Sequence, residues 1–164
     1  MTYEIETLYN IVGYNMFTNN NQSNKGVVAL YIKNNIPVMV KLEQSFIRNG
    51  IKTIFANLNT PSGIITVGLV YKRSVDISTE NIYILQEEII SSFDPKIKTY
   101  NRGDFNINLL DYSTSPLVEN FLDLMISRIF FPVITRSTRV TPIRCTLIDN
   151  IFSNRVDEIE STGV

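Results

Sequence analysis

Apolar and polar residues follow one another along this chain in blocks that predict strands interrupted by two helices. Residues 27–33 (VVALYIK) form a continuous, partly β-branched apolar run, the pattern of a strand buried on both faces. Asn34-Asn35 ends that run, and Pro37 disfavours a helix beyond it. Residues 51–58 (IKTIFANL) and 63–71 (GIITVGLVY) predict two more strands, joined by NTPSG, whose Pro and Gly suit a hairpin turn. A helix is predicted over 78–93, with Ile82, Leu85, Ile89 and Ile90 on its apolar stripe and Glu87 and Glu88 towards water. Asp94-Pro95 stops it, and residues 97–100 follow as the end of a strand. A second helix starts at Ser115-Pro116, proline being favoured in a first turn, and places Leu117, Phe121, Leu124 and Met125 inward. Residues 130–134 are extended, and 146–152 (TLIDNIF) predict the last strand. At the start, 8–17 enters the domain through a strand or turn at Gly13, and the polar run 19–24 predicts an exposed loop. Strands alternating with helices define an α/β layered domain.

Composition narrows the chemistry. A chain of 164 residues, 44% hydrophobic and 19% charged, is sufficient for one globular domain with a core. With a net charge of −1 it has no global basic field, so any contact with nucleic acid is local. There is no histidine, which excludes imidazole as acid, base or metal ligand within this polypeptide. Cys145 is the single cysteine, which excludes an internal disulfide; its apolar-flanked position predicts a buried structural thiol. No apolar run reaches the roughly 18 residues that span a bilayer, and the acidic N-terminal stretch is unlike a signal peptide. An intracellular setting, nuclear or cytoplasmic, is therefore expected.

The stretch most suited to chemistry is RGDFNINLL, residues 102–110. Gly103 permits a tight turn or a close backbone approach at a strand end. On extended backbone, Asp104 and Asn106 project to the same side, a carboxylate beside an amide that both donates and accepts. Such a pair could hold a water and a phosphate next to each other. Equally, the two could form an Asx-type turn and bond only their own backbone. The tripeptide Arg102-Gly103-Asp104 also spells an adhesion signal, taken here as coincidence because nothing else marks a secreted loop tip. A second local feature is basic: from Leu124 to Ile148 there are four arginines (Arg128, Arg136, Arg139, Arg144) and no acid or lysine. Guanidinium groups suit a DNA backbone, though ordinary surface arginines fit the stretch as well.

GDFN continued as INLL resembles the catalytic loop of the endonuclease/exonuclease/phosphatase superfamily, in the form carried by non-LTR retrotransposon polyproteins beside a reverse transcriptase. Four further stretches resemble the same family in the same order: GYNMFTNNN from Gly13, KGVVALYIKNN from Lys25, VGLVYKRS from Val67 and TRSTRVTPIRCTLIDNIFSN from Thr135. The resemblance covers about 8–155 of a single domain, 1–164. It implies a four-layer α/β sandwich of two β-sheets flanked by helices, and a Mg²⁺-dependent phosphodiesterase that nicks DNA. It assigns Asp104 to the attacking water, Asn106 to the scissile phosphate, Tyr71 to the same phosphate, and Asp149 to orienting a histidine. Asp104 and Asn106 are the implied metal contacts, and Arg139, with Arg136 and Arg144, the implied DNA contacts. The departures are as informative. The family's Ser-Asp-His lies beyond the equivalent of LIDNIF, and its main Mg²⁺ ligand is a glutamate near the start, for which Glu6 is the candidate here. Lys72-Arg73-Ser74 stands where Arg-Pro-Pro follows the tyrosine, and Asn101-Arg102 where apolar strand residues precede Gly-Asp. The resemblance therefore implies an incomplete domain, truncated at both ends and inactive alone. A non-catalytic remnant that binds nucleic acid or protein, or a pseudogene-like product, is the alternative. Open sheet edges, at 27–33 or 146–152, are expected to promote self-association.

Overall fold

The computed structural model describes residues 9–19, 28–42, 45–74, 79–90 and 94–161. Its frame is a long hairpin, β5 (Ile51–Thr60) and β6 (Gly63–Lys72), closed at Pro61-Ser62 with Gly63 at φ 114°, a conformation glycine adopts without strain. From β6 the chain passes through helix α1 (Thr79–Ile90) and returns as β7 (Lys98–Asp104), which lies parallel to β6. That crossover is what a parallel pair demands. After helix α2 (Pro116–Ser127), with Ser115 at its N-cap and proline in its first turn, comes the short β8 (Phe131–Pro132). The chain then enters β11 (Asp149–Ser153), antiparallel to both β7 and β8. With β3 (Val38–Val40) and β4 (Ile47–Arg48) on β5, this is a seven-stranded mixed sheet ordered β3-β5-β6-β7-β11-β8. Two small antiparallel pairs stand apart: β1 (Tyr14–Asn19) with β2 (Val28–Lys33), and β9 (Arg139–Val140) with β10 (Cys145–Thr146).

Each face of the large sheet has its own core. On one face Ile51, Phe55, Val70 and Phe152 pack beneath Ile82 and Leu85 of α1 and Phe121 and Met125 of α2. Phe152 meets Phe105 and Phe121 edge-to-face, with centroids 5.1 and 5.7 Å apart. Each such buried side chain contributes about 1.5–3 kcal/mol relative to exposure. On the other face the β1–β2 hairpin lays Ile32, Phe17 and Leu30 against Ala56, Leu58, Ile65 and Val67. The result is an α/β sandwich of two β-sheets with both helices outside the larger one.

Several expectations change in detail. Strand β2 is not buried on both faces: Val28 and Ile32 are buried while Lys33 is exposed, its sheet having two strands among the described residues. The predicted strand 146–152 breaks at Leu147-Ile148, whose backbone bonds the loop after β7, so β11 begins only at Asp149. Helix α2 buries Val118, Phe121, Leu122 and Met125, a stripe shifted from the predicted one. Cys145 is exposed on β10 rather than a buried thiol. Asn19 belongs to β1 and not to a loop; positions 20–24 lie outside the described residues.

Candidate functional site

Tyr71 lies next to last on β6, Asp104 ends β7, and Asp149 opens β11. The register sets Tyr71 directly opposite Asp104, and Asp104 directly opposite Asp149. Partners in register share a face, so the three side chains form a row across three adjacent strands at one end of the sheet. Val67, four residues before Tyr71 on the same strand, packs against the β1–β2 hairpin, so the row lies on that face. Gly103 is what lets the row close up. A Cβ there would stand 1.7 Å from the carbonyl oxygen of Val70 on β6. Gly103 is therefore inside the strand, at a close approach, and not at a turn.

Beyond Asp104 the backbone leaves the extended form. Asn106 has φ 48°, between Phe105 and Ile107, both buried in the helix-side core. This overturns the expectation that Asp104 and Asn106 share a face by strand alternation. Their proximity comes from a turn: the Asn106 N–H donates to Asp104 Oδ1 at 3.0 Å. The Asn106 amide reaches further, Nδ2 donating to the carbonyl of Lys72 at 2.6 Å. The two sequence readings of this stretch thus coexist, an Asx-type turn whose amide is also tied to the neighbouring strand. The same side chain also bonds the Asp104 carboxylate, which leaves Oδ1 for a ligand. The loop is fixed to the segment before β11 by Phe105 N–H to Ile148 O and Leu109 N–H to Leu147 O, both 3.0 Å. The buried Asn108 completes this tie, accepting from the Leu147 N–H at 2.8 Å.

Burial pushes the Asp104 carboxyl above its ordinary pKa; the Asn106 N–H opposes this, the Asp149 charge adds to it, and Arg139 draws it back. Arg139 is exposed on β9 yet close enough for its charge to act at Asp104. Arg144 sits in the β9–β10 turn, its Nη2 3.9 Å from Asp111 Oδ2, an exposed pair of little energetic weight. Arg136 is exposed ahead of β9. The Arg102-Gly103-Asp104 tripeptide is held in β7, paired on both sides, and is not a loop tip. Glu4 and Glu6 lie outside the described residues.

Two residues that position the site escaped the sequence reading. Thr138 Oγ1 accepts the N–H groups of Ile148 and Asp149, each at 3.3 Å, and so fixes the start of β11. Lys52 on β5 lies opposite Tyr71 and extends the row by one strand, although only 5% exposed. A threonine in a loop and a lysine in an apolar run carry no signal until register is known. Among the described residues there is no group of three or more Asp, Glu, His or Cys side chains able to hold a metal. The donor set is two carboxylates, Asp104 and Asp149, with the Asn106 amide oxygen. That fits Mg²⁺, which takes one or two carboxylates and fills its shell with water and substrate phosphate.

Two sheets face to face with helices outside is the fold of the endonuclease/exonuclease/phosphatase proteins. The endonuclease domain of TRAS1, a telomere-specific non-LTR retrotransposon, superposes with a TM-score of 0.64 at 15% identity, over 87% of this chain and 67% of that one. Human Nocturnin's catalytic domain, solved with a sulfate anion, gives 0.57 at 16% identity over 92% of this chain and 64% of its own. D. rerio TDP2 complexed with single-strand DNA product gives 0.55 at 10% identity, over 92% and 65%. The chain thus spans about two thirds of each neighbour's length. No protein-family model matches the sequence, and no curated protein matches it.

Proposed function

We propose that this chain carries the phosphodiester-holding part of a DNA endonuclease site of the non-LTR retrotransposon type, and that these 164 residues bind DNA without cutting it. The observation that carries the reading is the single register that aligns Tyr71, Asp104 and Asp149. In this arrangement Tyr71 and the Asn106 amide hold the scissile phosphate, and Asp104 orients the attacking water. Asp104, with Asn106 Oδ1 and Asp149 beside it, is where Mg²⁺ would be held; bound there it would neutralise charge on the phosphoryl oxygens. Arg139, Arg136 and Arg144 take the DNA backbone on the β11 side. What is missing is a proton-handling imidazole, since the chain contains no histidine. Components of one catalytic unit do not compensate for one another's loss. An intracellular setting, nuclear or cytoplasmic, suits a DNA substrate.

The test is nicking of supercoiled plasmid with Mg²⁺, alongside oligonucleotide binding. No nicking above background is expected, and binding should be weak, salt-sensitive and largely lost in the triple variant Arg136→Ala, Arg139→Ala, Arg144→Ala. Nicking abolished by Asp104→Ala would show that the chain is catalytically complete. Tight binding untouched by the triple variant would place DNA on another surface.

A further inference from the structure

The large sheet is covered unequally on its two faces. On the helix side Thr66, Val70, Asn101 and Phe152 are buried. On the other side the β1–β2 hairpin packs on β5 and β6, where Ala56, Leu58, Ile65 and Val67 meet it. Beyond β6 that cover gives out. Leu69, Tyr100 and Ile151 are half-buried and Arg102 is exposed, although β7 is flanked by β6 on one side and β11 on the other. Register places these residues in two rungs directly behind the Tyr71–Asp104–Asp149 row. Leu69, Arg102 and Ile151 make the first, and Tyr100, beside Val67 and Ser153, the second. All share the face of the row, since positions two apart on a strand project to the same side. Along β7, Arg102 stands about 6.6 Å and Tyr100 about 13 Å from Asp104, at roughly 3.3 Å per residue. The Arg102 guanidinium has no hydrogen-bond or ion-pair partner among the described residues, Asp104 and Asp149 included. Lys98, the other cation on this face of β7, is ion-paired with Glu158.

We propose that this open part of β7 is a platform for one nucleotide of a single strand, the neighbour of the one whose phosphate lies at Asp104 and Asn106. Arg102 takes its phosphate, and the Tyr100 ring stacks on its base. The proposal rests on the reading of Asp104 and Asn106 as a phosphate site and deepens it by naming the form of nucleic acid that the site takes. A guanidinium binds a phosphate through two parallel N–H donors. Leu69 and Ile151 give the Arg102 stem an apolar floor to lie on while its head stays in water. Asp104 and Asp149 repel an approaching phosphate. Arg139 draws on the Asp104 charge from the β9–β10 hairpin, and Arg102 supplies a cation on the sheet face itself. Stacking on tyrosine accepts any base that offers its flat side. A base held in a duplex is already stacked on its neighbours, so only an unpaired one reaches Tyr100.

Fluorescence anisotropy decides it, with a labelled single strand of about 12 nucleotides and the same strand annealed to its complement, each titrated over a range of salt. Arg102→Gln should weaken the single strand about tenfold and flatten its salt dependence by about 0.7 in log–log slope, the loss of one phosphate contact. Tyr100→Leu should weaken the single strand about fivefold or more and leave that slope unchanged, because stacking releases no counterion. Tyr100→Phe keeps the ring and should bind as wild type does. The duplex should bind all three variants like wild type, whereas Arg139→Ala weakens both ligands. Should Tyr100→Leu lose its fold by circular dichroism, Arg102→Gln, a change at an exposed position, carries the test alone. A single strand bound equally by wild type and Arg102→Gln, with Arg139→Ala still weakening both ligands, overturns the platform and leaves the phosphate site standing. Equal losses for duplex and single strand in Arg102→Gln overturn the preference for an unpaired base and with it the platform. Absence of any salt-dependent binding by wild type overturns both readings. Displacement by poly-glutamate as effective as by unlabelled DNA overturns nucleic acid as the occupant.

Discussion

Asp104 gathers the most physical consequences at a single residue. Its carboxyl is raised above the ordinary value of 3.8, chiefly by burial and with help from Asp149. Between that value and the raised one the native state binds the proton more tightly than the unfolded chain does. Stability therefore falls as pH rises through this window, and the charged carboxylate is a net cost at neutral pH. Asp104→Asn keeps an acceptor for the Asn106 N–H and removes the charge. In metal-free buffer its Tm at pH 7 is expected to exceed that of wild type, with the gap closing as pH falls through the raised value towards 3.8. A variant that melts lower at pH 7 would show that the carboxylate is stabilised by its surroundings. Tyr71, Asp104 and Asp149 were singled out by family resemblance and not by apolar patterning, since Asn101-Arg102 interrupts the run before Asp104 and Asp149 falls inside TLIDNIF. The backbone of Asn106 was not legible, since alternation cannot announce a positive φ, and the exposure of Cys145 was hidden because apolar neighbours do not reveal a projecting hairpin.

Among the elements, β7 is the one whose placement everything at the site shares. It lies against β6 at Gly103 more closely than any side chain allows. Gly103→Ala must separate the strands or bend β7, and no flexible side chain is available to yield because the obstructing atoms are the Val70 backbone. The loss should lie at or above the top of the roughly 1–3 kcal/mol typical of overpacking. Thermal and urea melts would measure it, and a change under about 0.5 kcal/mol, the range of ordinary surface substitutions, would contradict the close approach. A buried amide on the same strand makes the opposite point. Asn101 is fully buried, and neither its Nδ2 nor its Oδ1 has a hydrogen-bond partner. Orphaned polar groups cost about 1–3 kcal/mol each, so Asn101→Val, apolar and smaller, is expected to stabilise the fold in a urea titration; a lower midpoint would mean the amide is satisfied. Strands and helices of this frame were legible because long apolar runs and helix stops dominate them. The β9–β10 hairpin was missed because strands of two residues carry no periodicity.

For the molecule as a whole, the open edges are not all where the sequence suggested. β11 is flanked by β7 and β8, and β2 is paired with β1, so neither predicted edge stands without a neighbour. Within the described residues, β1 and β2 pair only with each other, and β3 pairs only with β5. Strand edges with free backbone groups invite pairing with another chain. Self-association that rises with concentration is therefore expected in light scattering after size exclusion, and a monomer at all concentrations would show these edges to be protected. No helix among the described residues is long and apolar enough to cross a membrane.

The parallel pairing of β6 with β7 also fixes an order of events. β5 and β6 meet through a two-residue turn and can zip from it, so their contacts form at little loop-closure cost. Tyr71 meets Asp104 only after the chain has closed the long loop that contains α1. Contacts this remote in sequence carry a larger loop-closure cost and slow folding. The phosphate site is thus completed only when the chain beyond the hairpin has closed on it.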